Sequence, residues 1–311
     1  MPASRLRLAP WSATLRAMRS LISEFSYGFA LTHELVSALG SLTAAPVFPS
    51  LIEEGRAGGG YDLKLQAPGL PLFLQFKRSE CLSRRSAREI RAGAPLTTPF
   101  YRMEITAKAD SAQHEMLIDL DQPPNFVFYA APMFHRKAEF DAAFLGGTVR
   151  QQSFFVRPRT IGFFADAGAH HLSFDGRTCV VMSEPKVVEG LGAAELEALL
   201  RKRLEQDKRS LRETLDEAVQ KAEAARVRSR DRLRRREEEI GETEITTISA
   251  SDQLESTSAA DDFRRRQADA LPAARAPEVP DDPGEAALRR LADIGLREFN
   301  TQLYIVQAKE G

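Results

Sequence analysis

The chain has 311 residues, 43% hydrophobic and 28% charged, with a formal net charge of -1. That suits one substantial domain plus extra segments, and the balanced charge gives no global steer towards nucleic acid, so any basic surface must be local. Two cysteines, Cys81 and Cys179, with no CxxC between them argue against a disulfide scaffold or a structural zinc site, no apolar run reaches the length of a membrane span, and a cytoplasmic setting fits.

Residues 1–20 carry Arg5, Arg7, Arg16 and Arg19 and no acid, and read as an N-terminal extension. An Arg-rich, acid-poor start fits a transit peptide, a disordered tail or a start codon set too early, with Met18 the true start. The stretch 20–40 reads as a helix, with Phe25, Phe29, Val36 and Leu39 on its apolar side at helical spacing. Ser20 or Ser23 suits its N-cap and Gly40 its end. Glu24 lies on the flank of that side, and Glu34 lies nearly opposite Phe25. Residues 44–60, with Pro46, Pro49 and Gly58-Gly59-Gly60, read as a loop.

Next come two predicted strands in GGGYDLKLQAPGLPLFLQFK, residues 58–77. Tyr61, Leu63 and Leu65 alternate with Asp62 and Lys64. Leu72, Leu74 and Phe76 alternate with Phe73, Gln75 and Lys77, so Gln75 and Lys77 share a face. Ala67-Pro68-Gly69 supplies a turn. A hairpin would bring Asp62 near Gln75 and Lys77, and charge on an apolar hairpin calls for a partner or a metal.

An Asp on one strand followed by an acid-x-Lys on the next resembles the PD-(D/E)xK nuclease superfamily, the restriction-endonuclease-like fold. Asp62 takes the place of the family's Asp, Gln75 the (D/E) position and Lys77 the Lys; Tyr61 stands where the family has Pro, and Gln75 replaces an acid. The resemblance implies an α/β domain with a mixed sheet flanked by helices. It implies a Mg2+ or Mn2+ ion held by Asp62, the side-chain oxygen of Gln75 and the backbone carbonyl of Phe76. Lys77 would orient the attacking water or offset charge on the phosphate. A further carboxylate from the preceding helix falls to Glu24, with Glu34 in reserve. The implied activity is phosphodiester hydrolysis of DNA or RNA, in bacterial phage defence or DNA repair. Two alternatives stand beside it: a non-catalytic nucleic-acid-binding module of the same fold, and a partner-binding protein acting through its C-terminal region.

Past Lys77, Arg78, Arg84, Arg85, Arg88 and Arg91 outnumber Glu80 and Glu89. With Ser83–Ala92 helical, Arg78, Arg84, Arg85 and Arg88 form a candidate phosphate-contacting cluster beside the hairpin. Residues 110–120 read as a short helix in which His114 is structural or exposed. Asn125–Ala131 (NFVFYAA) is continuously apolar, as a strand buried on both faces would be. A short helix ending at Gly146-Gly147 follows, in a βαβ-like order. Short strands are expected at 153–156, 161–164, 171–174 and 179–182, with a hairpin turn at Asp175-Gly176. Adjacent residues on a strand face opposite ways, which argues against His170-His171 as a metal pair.

Composition shifts near residue 189, which closes the expected domain at 21–188. Residues 190–240 predict a long charged helix with acid-first i,i+4 pairs (Glu197/Arg201, Glu205/Arg209, Glu217/Lys221) and a thin seam of Leu204, Leu211, Ala218 and Ala225. Residues 241–284 read as a flexible linker, and 285–311 as a helix with an apolar tail. Self-association or a protein partner is expected through 190–240 and 285–311; no membrane partner is expected.

Overall fold

The structure, a computed structural model, describes residues 20–47, 63–106, 111–166, 168–182, 185–244 and 282–309. Asp62 and the glycine run 58–60 lie outside these residues, as do 1–19, most of the expected linker and the end of the tail.

Two sheets organise the chain. Six strands form the first: β1 (Leu42–Val47), β2 (Leu70–Phe76), β5 (Phe126–Pro132), β6 (Ser153–Val156), β10 (Gly190–Leu191) and β11 (Gln302–Ala308). Their order is β1-β11-β2-β5-β6-β10. β2 and β5 run parallel, with Leu74 opposite Phe128; all other pairs are antiparallel. The second sheet has the order β3-β4-β7-β8-β9, from β3 (Glu80–Leu82), β4 (Phe100–Ile105), β7 (His170–Phe174), β8 (Cys179–Val181) and β9 (Lys186–Val188). The chain is thus a mixed α/β fold whose mixed sheet is flanked by helices.

Strand periodicity divides the core in two. On one face of the first sheet, Leu72 and Leu74 of β2, Phe126 and Phe128 of β5 and Tyr304 and Val306 of β11 pack together. They meet helix α1 (Glu24–Ala38) and helix α6 (Ala193–Gln206), which contributes Leu196, Leu200 and Leu204. On the other face Phe73, Val127, Tyr129, Leu303 and Ile305 meet the inner side of the second sheet, through Met103, Ile105, Leu172 and Phe174. Helices α3 (Gln113–Leu120), α7 (Leu211–Glu244) and α8 (Pro283–Arg297) close that side. Every residue of β5 is buried, as the apolar run NFVFYAA leads one to expect.

Several expectations are corrected. Helix α1 forms, capped by Ser23, whose hydroxyl accepts from Ser26 N at 2.9 Å. It buries Tyr27, Ala30, Leu31 and Leu35; of the predicted side Leu39 is buried, but Phe25 is 83% and Phe29 61% exposed. Both stripes have helical spacing. Gly28 selects between them, because a Cβ there would lie 2.6 Å from the Phe76 ring, so the helix seats its small-residue side on β2. Pro46 sits inside β1, which lies at the sheet edge and tolerates a residue with no N–H. Residues 63–65 are not a strand. Both edges of β2 are taken, by β11 and β5, so no hairpin partner can pair there. Instead Gln307 bonds both the N–H and the carbonyl of Lys64, at 3.1 and 2.9 Å, and Leu211 N donates to Ala67 O. Helix Ser83–Ala92 shrinks to α2 (Arg88–Arg91). Helix α4 (Lys137–Leu145) links β5 to an antiparallel β6, not to a parallel strand, and 158–161 is the helical turn α5.

The boundary at 189 does not separate two units. β11 lies between β1 and β2, in the middle of the sheet. The predicted long helix is broken at Asp207–Ser210 into α6 and α7. Its thin seam is core: Leu211, Leu215, Ala218, Ala222 and Ala225 are all at most 1% exposed. Alanine at these positions lets α7 approach α3 and α8 closely, so little side-chain bulk is buried yet none is exposed.

Candidate functional site

A cleft of about 460 Å³ opens where β2 ends. Lys77 continues the β2–β5 ladder, its N–H donating to Ala130 O at 2.9 Å. Its ammonium lies 5.7 Å from the centre of the Tyr129 ring, and the residue lines the cleft. From the first turn of α1 comes Glu24, with Ser20 just before the helix. Arg78, Ser79 and Glu80 follow Lys77 along the wall. Opposite stand Arg102, Glu104 and Thr106 from β4 and its end, and His171 from β7.

Alternation places the far wall. Tyr101, Met103 and Ile105 point into the core, so Arg102 and Glu104 point out. β7 pairs with β4 so that His171 faces Glu104 and Ser173 faces Arg102. The Arg102 guanidinium is held from two sides, by Glu80 at 2.9 Å and by Glu89 at 3.2 Å. Glu89 is itself only 3% exposed and would be costly without that cation. Burial, with the nearby Arg102 charge adding to it, holds the His171 imidazole below the usual histidine pKa, against opposing pulls from Glu104, Glu80 and Glu89.

Behind the near wall is a bonded pair of aromatic rings. Because Gly162 O can only accept, His114 Nε2 carries the proton it donates there at 2.9 Å, and Nδ1 accepts from the Tyr129 hydroxyl at 2.8 Å. Burial lowers the His114 pKa to about 4 and raises that of Tyr129. Of the two readings left open, His114 is structural.

The sequence-derived candidates divide. Lys77, Glu24 and Arg78 line one cleft. Arg84, Arg85 and Arg88 are exposed on the segment that leaves β3, whose first residue is Glu80. Gln75 is 3% exposed on the Phe73–Tyr129 face and is not a lining residue; its Oε1 has no hydrogen-bond partner among the described residues. Glu34 is a backbone cap, accepting from Val149 N and Arg150 N at 2.8 Å each. Lys64, two residues after Asp62, is tied to Gln307 beside the start of β2, whereas Lys77 follows the strand's end, about 20 Å away. Asp62 itself lies outside the described residues. Among the described residues, no group of three or more His, Cys, Asp or Glu has the arrangement to hold a metal. His170 and His171 do face opposite ways: His170 is buried and stacked on Phe164 at 3.6 Å between ring centres.

Sequence reading missed Arg102, Glu104, Glu80 and the placing of His171. The signal was present in the period-two alternation of Tyr101-Arg102-Met103-Glu104-Ile105, which marks a strand with one charged face. No helix among the described residues is long and apolar enough to cross a membrane. Comparisons with family models, with curated proteins and with solved structures found no match.

Proposed function

We propose that the protein is a nuclease, hydrolysing phosphodiester bonds of DNA or RNA in the cleft beyond β2, on an α/β frame of the restriction-endonuclease-like kind. The carrying observation is the company Lys77 keeps. A cation at the end of a central strand shares one cleft with Arg78, Arg102, three carboxylates and a histidine. A phosphodiester is an anion, and its hydrolysis gathers further negative charge on the phosphoryl oxygens. Cations already fixed in place stabilise that charge without reorganising. Arg102 is fixed by Glu80 and Glu89, and Lys77 packs over the Tyr129 ring. Arg84, Arg85 and Arg88, exposed beyond β3, add cations for backbone phosphates, which position a strand without reading its sequence.

A divalent ion, when bound, would polarise the phosphate and acidify a water. The residues that would hold it are Asp62, which lies outside the described residues, Gln75 through Oε1 and Phe76 through its carbonyl, and no step is routed through an ion. Gln75, neutral where the family has an acid, favours a second reading, a non-catalytic module that binds nucleic acid through the same cations.

The test is incubation of the full chain with single- and double-stranded DNA and RNA, in Mg2+, in Mn2+ and in EDTA. Cleavage of at least one substrate is expected. If cleavage needs the ion, Asp62→Ala should abolish it. Salt-sensitive binding with no cleavage under any condition would overturn the nuclease reading in favour of the binding module.

A further inference from the structure

Hydrolysis in this cleft needs a group that removes a proton from water, and the cationic residues cannot serve. The acceptors on the walls are Glu24, Glu80, Glu104 and His171. Glu80 is committed to Arg102. Of the acceptors left, Glu24 and Glu104 are exposed and His171 is half-buried. It stands on β7, a strand embedded between β4 and β8, so its backbone is fixed on both sides. Its ring is half-buried, and no hydrogen bond or ion pair engages it among the described residues. The charged groups around it come from every neighbouring element: Arg102 and Glu104 on β4, Glu80 on β3, Glu89 on α2, and Lys77, Arg78 and Glu24 across the cleft.

From this geometry we infer that His171 is the general base of the cleft, taking the proton from the water that attacks the phosphodiester phosphorus. The inference rests on the nuclease reading. As the water oxygen bonds to phosphorus, its proton passes to the imidazole. The phosphorus–oxygen bond to the leaving nucleoside breaks, and the leaving oxygen takes a proton from solvent water. Glu104, the cross-strand partner of His171, stands where it favours the imidazolium that forms. An imidazole held neutral at pH 7 is in the form the role requires.

The experiment follows kcat/KM from pH 5 to 9 on the substrate that wild type cuts, for wild type, His171→Ala and His171→Gln, with melting temperature and nucleic-acid affinity measured alongside. Wild type should lose activity as pH falls through the His171 titration. His171→Ala should lose about 100-fold or more near pH 7, lose that acidic limb, and keep affinity within about threefold. Added imidazole should restore part of the rate of His171→Ala in proportion to its free base. His171→Gln, whose side chain fills the space, should be equally slow and not be rescued. Activity of either variant within threefold of wild type, an unchanged acidic limb, or no rescue by imidazole would overturn the inference and leave the nuclease reading standing. If wild type cuts nothing, both fall together.

Discussion

The two sheets use strands in contrasting ways. In the first, β5 is buried over its whole length, and β2 is buried from Leu70 to Gln75. In the second, β4 turns Tyr101, Met103 and Ile105 to the shared core and Arg102 and Glu104 outward, while Phe100 joins a small third cluster with Ala87, Ala94, Leu96 and Val180. A sheet covered on both faces has nowhere to put charge, because a buried ion without a partner costs several kcal/mol. Beyond the small cluster that covers one end of its outer face, the second sheet has room for polar side chains. The cleft lies where the two meet: Lys77 is the residue at which the covered strand β2 runs out of cover, and Arg102, Glu104 and His171 belong to the open face.

The contrast predicts where the molecule can be changed. The largest effect concerns the C-terminal strand. Truncation after Glu189 removes β11 from between β1 and β2, together with α6, α7 and α8, and the cooperative thermal transition should disappear from a calorimetric or circular-dichroism melt. A truncated chain that still melts cooperatively would show that β11 is dispensable. Next comes a matched pair of substitutions. Ile305→Ala, at a fully buried position of β11, should cost about 2–5 kcal/mol in urea unfolding. Glu104→Gln, on the open face, should stay within about 0.5 kcal/mol of wild type. Equal costs would erase the distinction between the sheets.

A third prediction uses pH. In the folded chain His114 titrates at about 4 because burial disfavours its charged form. The unfolded chain takes up that proton near the ordinary histidine value, about 6.5. Its stabilising contribution is therefore complete above about pH 6.5 and is lost as pH falls towards 4, an effect of order 3 kcal/mol at most. His114→Gln should be less stable than wild type at pH 7 and should lose less on acidification across that window. Parallel pH profiles for the two proteins would place the buried titration elsewhere.

Local pattern made much of this legible. The apolar run at 125–131, helix 113–120, the Asp175-Gly176 turn and the opposed faces of His170 and His171 all follow from periodicity and turn chemistry over a few residues. Of the site, Lys77, Glu24 and Arg78 were legible as candidates, and they line one cleft. What escaped was non-local. Nothing near Leu303-Tyr304-Ile305-Val306 says that its partners are β1 and β2, more than two hundred residues earlier. The hairpin expected at 61–77 fails for the same reason: a distant strand competes for the edge of β2 and takes it. Phe25 and Phe29 outweighed Tyr27, Ala30 and Leu31 on hydrophobicity, yet the face is chosen by the close approach that Gly28 allows. The alanine seam of α7 was underweighted because burial depends on fit as well as bulk.

The most direct test of the nuclease reading is the cleavage rate of Lys77→Ala beside wild type, on the same nucleic acid and at matched melting temperature. Removing the ammonium takes a fixed cation from the phosphate while leaving Arg102, Glu104 and His171 on their strands. A loss of about 100-fold or more, with affinity for the substrate reduced far less, is the predicted result. Cleavage by Lys77→Ala within twofold of wild type would contradict it, and would remove the end of β2 from the site.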